Sequence, residues 1–221
     1  MKDRYSIFVG LIFLALVVIA SVSTLSGDED GGTLGLDRLE ERWPLPEFAV
    51  PIAAGSVEGD ANVAQDDCES SAVPCPEDSV RQPACQIATK GAIRVCDFFD
   101  RPLVLSFWFS RGGDECIEQQ DVVSSVAERY RGRVGFLSLN VRDDRGTVRD
   151  LVREHGWQMP VGYDRDGAVA ALFTVGGCPT FAYAYPGGTL ESASSGELTA
   201  AQLSARVERL LDATASVEGR R

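Results

Sequence analysis

Charged residues are absent from Tyr5 to Gly27, where Ile, Leu, Val and Phe dominate. Such a run is long enough to cross a hydrocarbon core of about 30 Å as a helix. Lys2 and Arg4 precede it, and Asp28, Glu29 and Asp30 follow it. The positive-inside tendency therefore puts the N-terminus in the cytoplasm and the body of the chain outside it. Residues 1–27 are expected to form a transmembrane anchor. A cleaved secretion signal is the alternative, since basic residues before an apolar stretch are common to both and Ser21 to Ser26 are small. The run is longer than an ordinary signal core of about 7 to 15 residues and lacks an Ala-x-Ala site. Either reading exports residues 28–221.

Beyond the anchor the pattern turns polar and Gly-rich over residues 28–44, as in a tether. Pro46 to Pro51 reads as a short extended segment, followed by an acidic, apolar-poor stretch, about residues 55–84, holding Cys68 and Cys75. So long a loop inside a domain is usually functional, disordered or stapled, and here the cysteines favour stapling. From Cys85 to Cys96 two β-prone runs meet at Lys90-Gly91, which predicts a hairpin with Cys85 opposite Cys96. Opposed Cβ atoms lie about 4.5–5.5 Å apart, near disulfide reach.

Pro102 to Phe109 is a continuous apolar run, as in a strand buried on both faces. Asp114 to Arg131 carries Ile117, Val122, Val123, Val126 and Tyr130 at near-helical spacing, with acidic residues at its start. Strands are expected over Arg133 to Val141 and Pro160 to Tyr163, and helices over Thr147 to His155 and Ala168 to Phe173. A hairpin over Thr180 to Tyr185 and Thr189 to Ser194 follows, turning at Pro186-Gly187-Gly188. A helix over Leu198 to Leu211 closes the chain. The alternation predicts an α/β domain over 45–214, a mixed sheet flanked by helices, and a tail over 215–221.

Charge removes one class of partner. With a net charge of -12 and no basic cluster, the chain lacks the lysine and arginine density that nucleic acid requires. The six cysteines, once exported, suit disulfides, with 15 pairings formally open. Cys68, Cys75, Cys85 and Cys96 lack the close spacings of zinc ligands. Cys68 with Cys75 and Cys85 with Cys96 are the plainer pairs, and neither a metal nor a cofactor is expected.

In order along the chain stand Pro46-Glu47-Phe48, Lys90-Gly91, Asp97-Phe98-Phe99-Asp100-Arg101-Pro102, Phe107-Trp108, Gly113-Asp114-Glu115-Cys116, Met159 to Gly167, and Gly177-Cys178-Pro179-Thr180. Over residues 46–211 this series resembles the thioredoxin-like superfamily, in particular the membrane-anchored TlpA/ResA type of thiol-disulfide oxidoreductase. The resemblance implies a thioredoxin-like fold, a redox site at the start of the helix after Phe107-Trp108, and a cis-proline at Pro179 packed against it. Trp108 and Pro179 would dock substrate.

The chain departs from that family where Gly113 stands in place of the first cysteine of its Cys-x-x-C. The exposed attacking thiol, activated in the family by the helix N-terminus, is missing. Cys116 holds the resolving position. Cys178, immediately before Pro179, would face Cys116 across the site and could form with it an exchanging disulfide or an inert staple. Arg111 is the nearest cation in sequence, while Asp114 and Glu115 oppose it. Glu115 lies where the family sometimes carries a proton-handling Glu, and an exposed helix-start role also suits it. His155, the only histidine, suits a helix end better than catalysis.

The implied function is thiol-disulfide exchange through Cys116 and Cys178. Its partners would be exported protein thiols, haem-protein maturation clients or a membrane electron-donor protein. A binding or scaffolding module without catalysis is the alternative. A peroxiredoxin-like peroxidase fits less well, because Phe109 and Gly113 replace the proline and threonine of that family's cysteine turn.

Overall fold

The structure, a computed structural model, describes residues 43–54, 84–86, 88 and 90–219. The expected anchor at 1–27, nearly all of the tether and the Cys68 and Cys75 insertion lie outside the described residues. Among the described residues no helix is long and apolar enough to cross a membrane.

The strands are β1 (Ala49–Pro51), β2 (Ala92–Arg94), β3 (Leu103–Trp108), β4 (Gly135–Val141), β5 (Val161–Asp164), β6 (Thr180–Tyr185) and β7 (Thr189–Ser195). The α-helices are α1 (Asp114–Arg129), α2 (Arg145–His155), α3 (Ala168–Leu172) and α4 (Ala200–Glu218). Strands β5-β4-β3-β6-β7 form one mixed sheet in that order. The β5-β4-β3 half is parallel and the β3-β6-β7 half antiparallel.

All six residues of β3 are buried, as an apolar run in a central strand requires. Because side chains alternate across a strand, Val104 and Trp108 enter one core with Val123 and Val126 of α1 and Leu203, Val207 and Leu210 of α4. Leu103, Leu105 and Phe107 enter the other, with Phe48, Val50, Ile93 and Phe173. Gln119 ties the helices of the first layer. Its side-chain oxygen accepts from the Leu198 N–H and its amide donates to the Leu198 carbonyl.

Two expectations are corrected. The Cys85–Cys96 segment does not form a hairpin with itself. Ala84–Gln86 is a 3-10 turn, and β2 pairs antiparallel with β1 in the register Val50↔Ile93. That pairing buries Val50 and Ile93 in the second core, burial that a free-standing hairpin lacks. Helix α4 begins at a capping box of Thr199 and Gln202 and runs to Glu218. It passes both Leu211 and the start of the expected tail, with Thr214 buried and its hydroxyl donating to the Leu210 carbonyl.

Candidate functional site

Strand β3 delivers the chain to the site. After Trp108 come Phe109, a 3-10 turn at Ser110–Gly112, and Gly113, the N-cap of α1. Gly113 has φ 109° and ψ 172°, a region of the map open essentially only to glycine. Two residues inside α1, Cys116 is 3% exposed. Strand β6 brings in the other half, since Phe107 of β3 pairs with Thr180. Immediately before Thr180 lies the cis Cys178-Pro179 bond, and the Thr180 hydroxyl donates to the Gly177 carbonyl at 2.8 Å. The strand pairing thus sets Cys178 beside the first turn of α1.

Cys116 and Cys178 form a disulfide with Cα atoms 5.9 Å apart. That lies inside the separation of about 7 Å beyond which a bridge needs backbone movement. The two cysteines are unequally buried, Cys116 fully and Cys178 only by half. The α1 N-terminus, with its unsatisfied N–H groups and positive dipole end, lies alongside and favours a thiolate over a thiol. Asp114 and Glu115, both exposed, oppose that effect. A Cβ built on Gly113 would collide with the Glu115 carboxylate, so Glu115 folds back over the place of the family's first cysteine.

Asp143 fixes the loop between β3 and α1, and nothing in the sequence pattern marks it. Its carboxylate is buried and accepts from the Ser110 N–H at 2.5 Å and the Asn140 amide at 2.7 Å. Arg111 lies 3.5 Å from the other carboxylate oxygen. The Tyr163 hydroxyl donates to the Asp143 carbonyl at 2.9 Å, and burial raises the Tyr163 phenol above its ordinary value, keeping it a donor. An acid after a strand carries no periodicity in so acidic a chain. The one available signal was its place at the C-terminal end of a parallel strand beside the redox loop, where ligands gather in such sheets. Beside the loop opens a cleft of about 350 Å³, which reaches from Phe109 and Arg111 past Val141 and Arg142 to Gly177.

No protein-family model matches the chain. It is 23% identical over 111 residues to the thiol-disulfide oxidoreductase ResA of Oceanobacillus iheyensis, a match covering 50% of this chain and 57% of that one. The chain thus spans little more than half the length of that curated relative. Two solved structures resemble it more broadly. One is described as a thiol:disulfide interchange protein DsbE from Chlorobium tepidum, at 16% identity and a TM-score of 0.57, over 80% of this chain and 98% of that one. The second is a DsbF homologue from Corynebacterium diphtheriae, at 19% identity and a TM-score of 0.56, over 85% and 95%. The fold of the chain is thioredoxin-like.

Within this thioredoxin-like frame the expected site residues separate. Cys116 and Cys178 meet, and Pro179 is cis, as the resemblance implies. Trp108 and Pro179, expected to dock substrate, are both buried. Trp108 is 0% exposed because its ring points into the core and meets Trp157 edge-on at 5.2 Å between centroids. His155 stands apart from the disulfide chemistry. As the last residue of α2 it pairs through Nδ1 with Asp121 of α1 at 2.9 Å, and Gly156 in the left-handed region makes the helix C-cap.

Cys85 and Cys96 are bonded, with Cα atoms 5.8 Å apart, although no hairpin places them so. Cys85 rides on the 3-10 turn, and Cys96 lies in another 3-10 turn, Val95–Phe98. Glu47 comes within 4.8 Å of both sulfurs, but sulfurs bonded to each other offer a metal no thiolate.

Proposed function

We propose that this protein catalyses thiol-disulfide exchange through Cys116 and Cys178, as a membrane-anchored domain on the extracytoplasmic side. The observation that carries the reading is the unequal burial of two bonded cysteines at the start of a helix. A client thiolate attacks the half-buried Cys178 sulfur, the Cys116–Cys178 bond breaks, and Cys116 leaves as a thiolate beside the α1 N-terminus. A second client thiol, deprotonated to solvent, then attacks the mixed disulfide. It releases Cys178 and an oxidised client, with two electrons left on the protein's pair. The reverse sequence reduces a client disulfide, and a membrane electron donor with a dithiol would recharge the pair. Gly113 is no obstacle, because Cys178 takes the attacking part and Cys116 keeps the resolving one.

Clients in this reading are exported protein thiols, including those of haem proteins under maturation. The chemistry needs only sulfurs, so neither a metal nor an organic cofactor takes part. The alternative, a binding or scaffolding module without catalysis, would dock its partner around Trp108 and Pro179, both of which are buried. The test follows oxidation of a dithiol peptide by the purified protein, with mass mapping after alkylation at stepped reduction potentials. Cys116 and Cys178 should become alkylated together at moderate potential, and either Cys→Ser variant should lose turnover. Unchanged turnover in both variants would sink the proposal.

A further inference from the structure

Arg142 is the most heavily constrained exposed cation beside the disulfide. It follows β4 directly and holds φ 62°, a left-handed conformation that costs a residue with a Cβ roughly 1–2 kcal/mol. Among the described residues one other non-glycine residue has positive φ, Thr174 at 49°, and it does not line the cleft. Backbone strain retained at Arg142, in the wall of the cleft, points to a function there. The Arg142 guanidinium lies over Gly167, where a Cβ would displace it, and its Nε donates to the Asp166 carbonyl at 2.6 Å. It pairs with no carboxylate of the described residues. Arg111 donates to the Arg142 carbonyl, so both guanidinium groups stand on one wall against the single carboxylate of Asp143.

The rest of the cleft is apolar, from Phe109 and Val141 to Ala170 and Val175. It ends at Gly177, the residue before Cys178, where a Cβ would meet nothing within 4 Å. An unpaired, pinned cation in a chain of net charge -12 is complementary to an anion brought from outside. We propose that this cleft seats the client segment flanking the reacting cysteine. Arg142, seconded by Arg111, selects clients with an aspartate or glutamate near that cysteine. The inference rests on the exchange reading and names the substrate class of that site.

The experiment uses the full chain, oxidised for cysteine peptides that differ only in one flanking residue, Glu, Gln or Lys, and reduced for a small uncharged disulfide as reference. The Glu peptide should react about three- to tenfold faster than the Lys peptide, the scale of one or two partly exposed charge pairs. That ratio should fall toward one in Arg142→Gln and at high salt, where exposed charges are screened. Arg142→Gly should also lose it while raising the unfolding midpoint, because glycine relieves the left-handed backbone. Equal peptide rates alongside a reacting small disulfide would overturn the selectivity and leave the exchange reading standing. Failure of the small disulfide to react would overturn exchange, and anisotropy of labelled Glu and Lys peptides on the oxidised protein would still decide the cleft. Protection by free succinate without any peptide preference would make it a small-carboxylate site and refute the client segment.

Discussion

Cys178, half-buried before the cis proline, is bonded to Cys116, buried in the first turn of α1, across 62 residues of chain. The difference in burial assigns different phenotypes to the two thiols. Cys178→Ser removes the sulfur a client can reach and should bring exchange to background. Cys116→Ser leaves that sulfur but no resolver, and with a client supplied as its disulfide should accumulate a mixed disulfide between client and Cys178, the other client sulfur leaving as a thiolate. Intact-mass measurement under non-reducing conditions checks both. The reverse pattern, with client trapped on Cys116, would exchange the roles.

The same bond carries stability. In the chain-entropy account, closing 62 residues is worth about 4 kcal/mol and closing 11 about 3 kcal/mol. Loss of the Cys116–Cys178 bond should therefore lower the unfolding free energy by up to about 4 kcal/mol. Urea denaturation of Cys178→Ser against the natural chain reads this directly. A loss under 1 kcal/mol would mean that the loops it joins are held by other contacts.

Gly113 bears on whether a Cys-x-x-C could be restored. A cysteine there must adopt φ near 109°, at a cost of about 1–3 kcal/mol, and must displace the Glu115 carboxylate. Gly113→Ala should lower the unfolding free energy by that amount, as read by urea denaturation. Gly113→Cys should be no better an oxidant than the natural chain, because Cys116 is already committed to Cys178. A clear gain in exchange rate for Gly113→Cys would contradict the view that the turn has been rebuilt around glycine.

Trp157 braces the site from behind. It is 5% exposed, meets Trp108 edge-on, and donates from Nε1 to Asp121 of α1 at 2.7 Å. Trp157→Ala should cost about 3–5 kcal/mol as a large-to-small core change. Trp157→Phe keeps an aromatic contact and gives up the hydrogen bond, at about 1 kcal/mol or somewhat more. Chemical denaturation of the two variants separates ring packing from the Asp121 bond. Equal losses would mean that the bond, not the packing, holds α1 to this corner.

Elements whose burial is set along the chain were legible in the sequence, and those set across it were not. The apolar run at Leu103–Trp108 and the stripe of Val123 and Val126 announced a central strand and its covering helix. The pairing of Cys85 with Cys96 was reached through a hairpin that does not form, since the β-prone residues of β2 are taken up by β1. The docking roles of Trp108 and Pro179 came from the family resemblance alone, while the apolar run at Leu103–Trp108 already pointed to a buried Trp108. The packing of Trp157 and the strand pairing of β3 with β6 bury them. Arg142 was invisible for another reason, because its left-handed backbone and missing carboxylate are properties of three-dimensional placement.

Tyr183 yields a prediction for alkaline pH. It is 1% exposed in β6, shares a hydrogen bond of 3.2 Å with Ser194, and has Arg206 of α4 over its ring. Burial pushes its phenol from the ordinary value near 10 up to about 12. The folded chain therefore keeps this proton over a range in which the unfolded chain has lost it. The contribution is fully present below about pH 10 and is lost as the pH climbs through 12. A difference of roughly two pH units corresponds to about 2–3 kcal/mol. Urea midpoints should fall between pH 10 and 12, and Tyr183→Phe should flatten that slope, because a phenyl ring has no proton to lose. A slope identical in Tyr183→Phe would place the alkaline loss on another group. The Phe variant separates the two causes cleanly, since it retains the ring beneath Arg206 and gives up only the hydroxyl shared with Ser194.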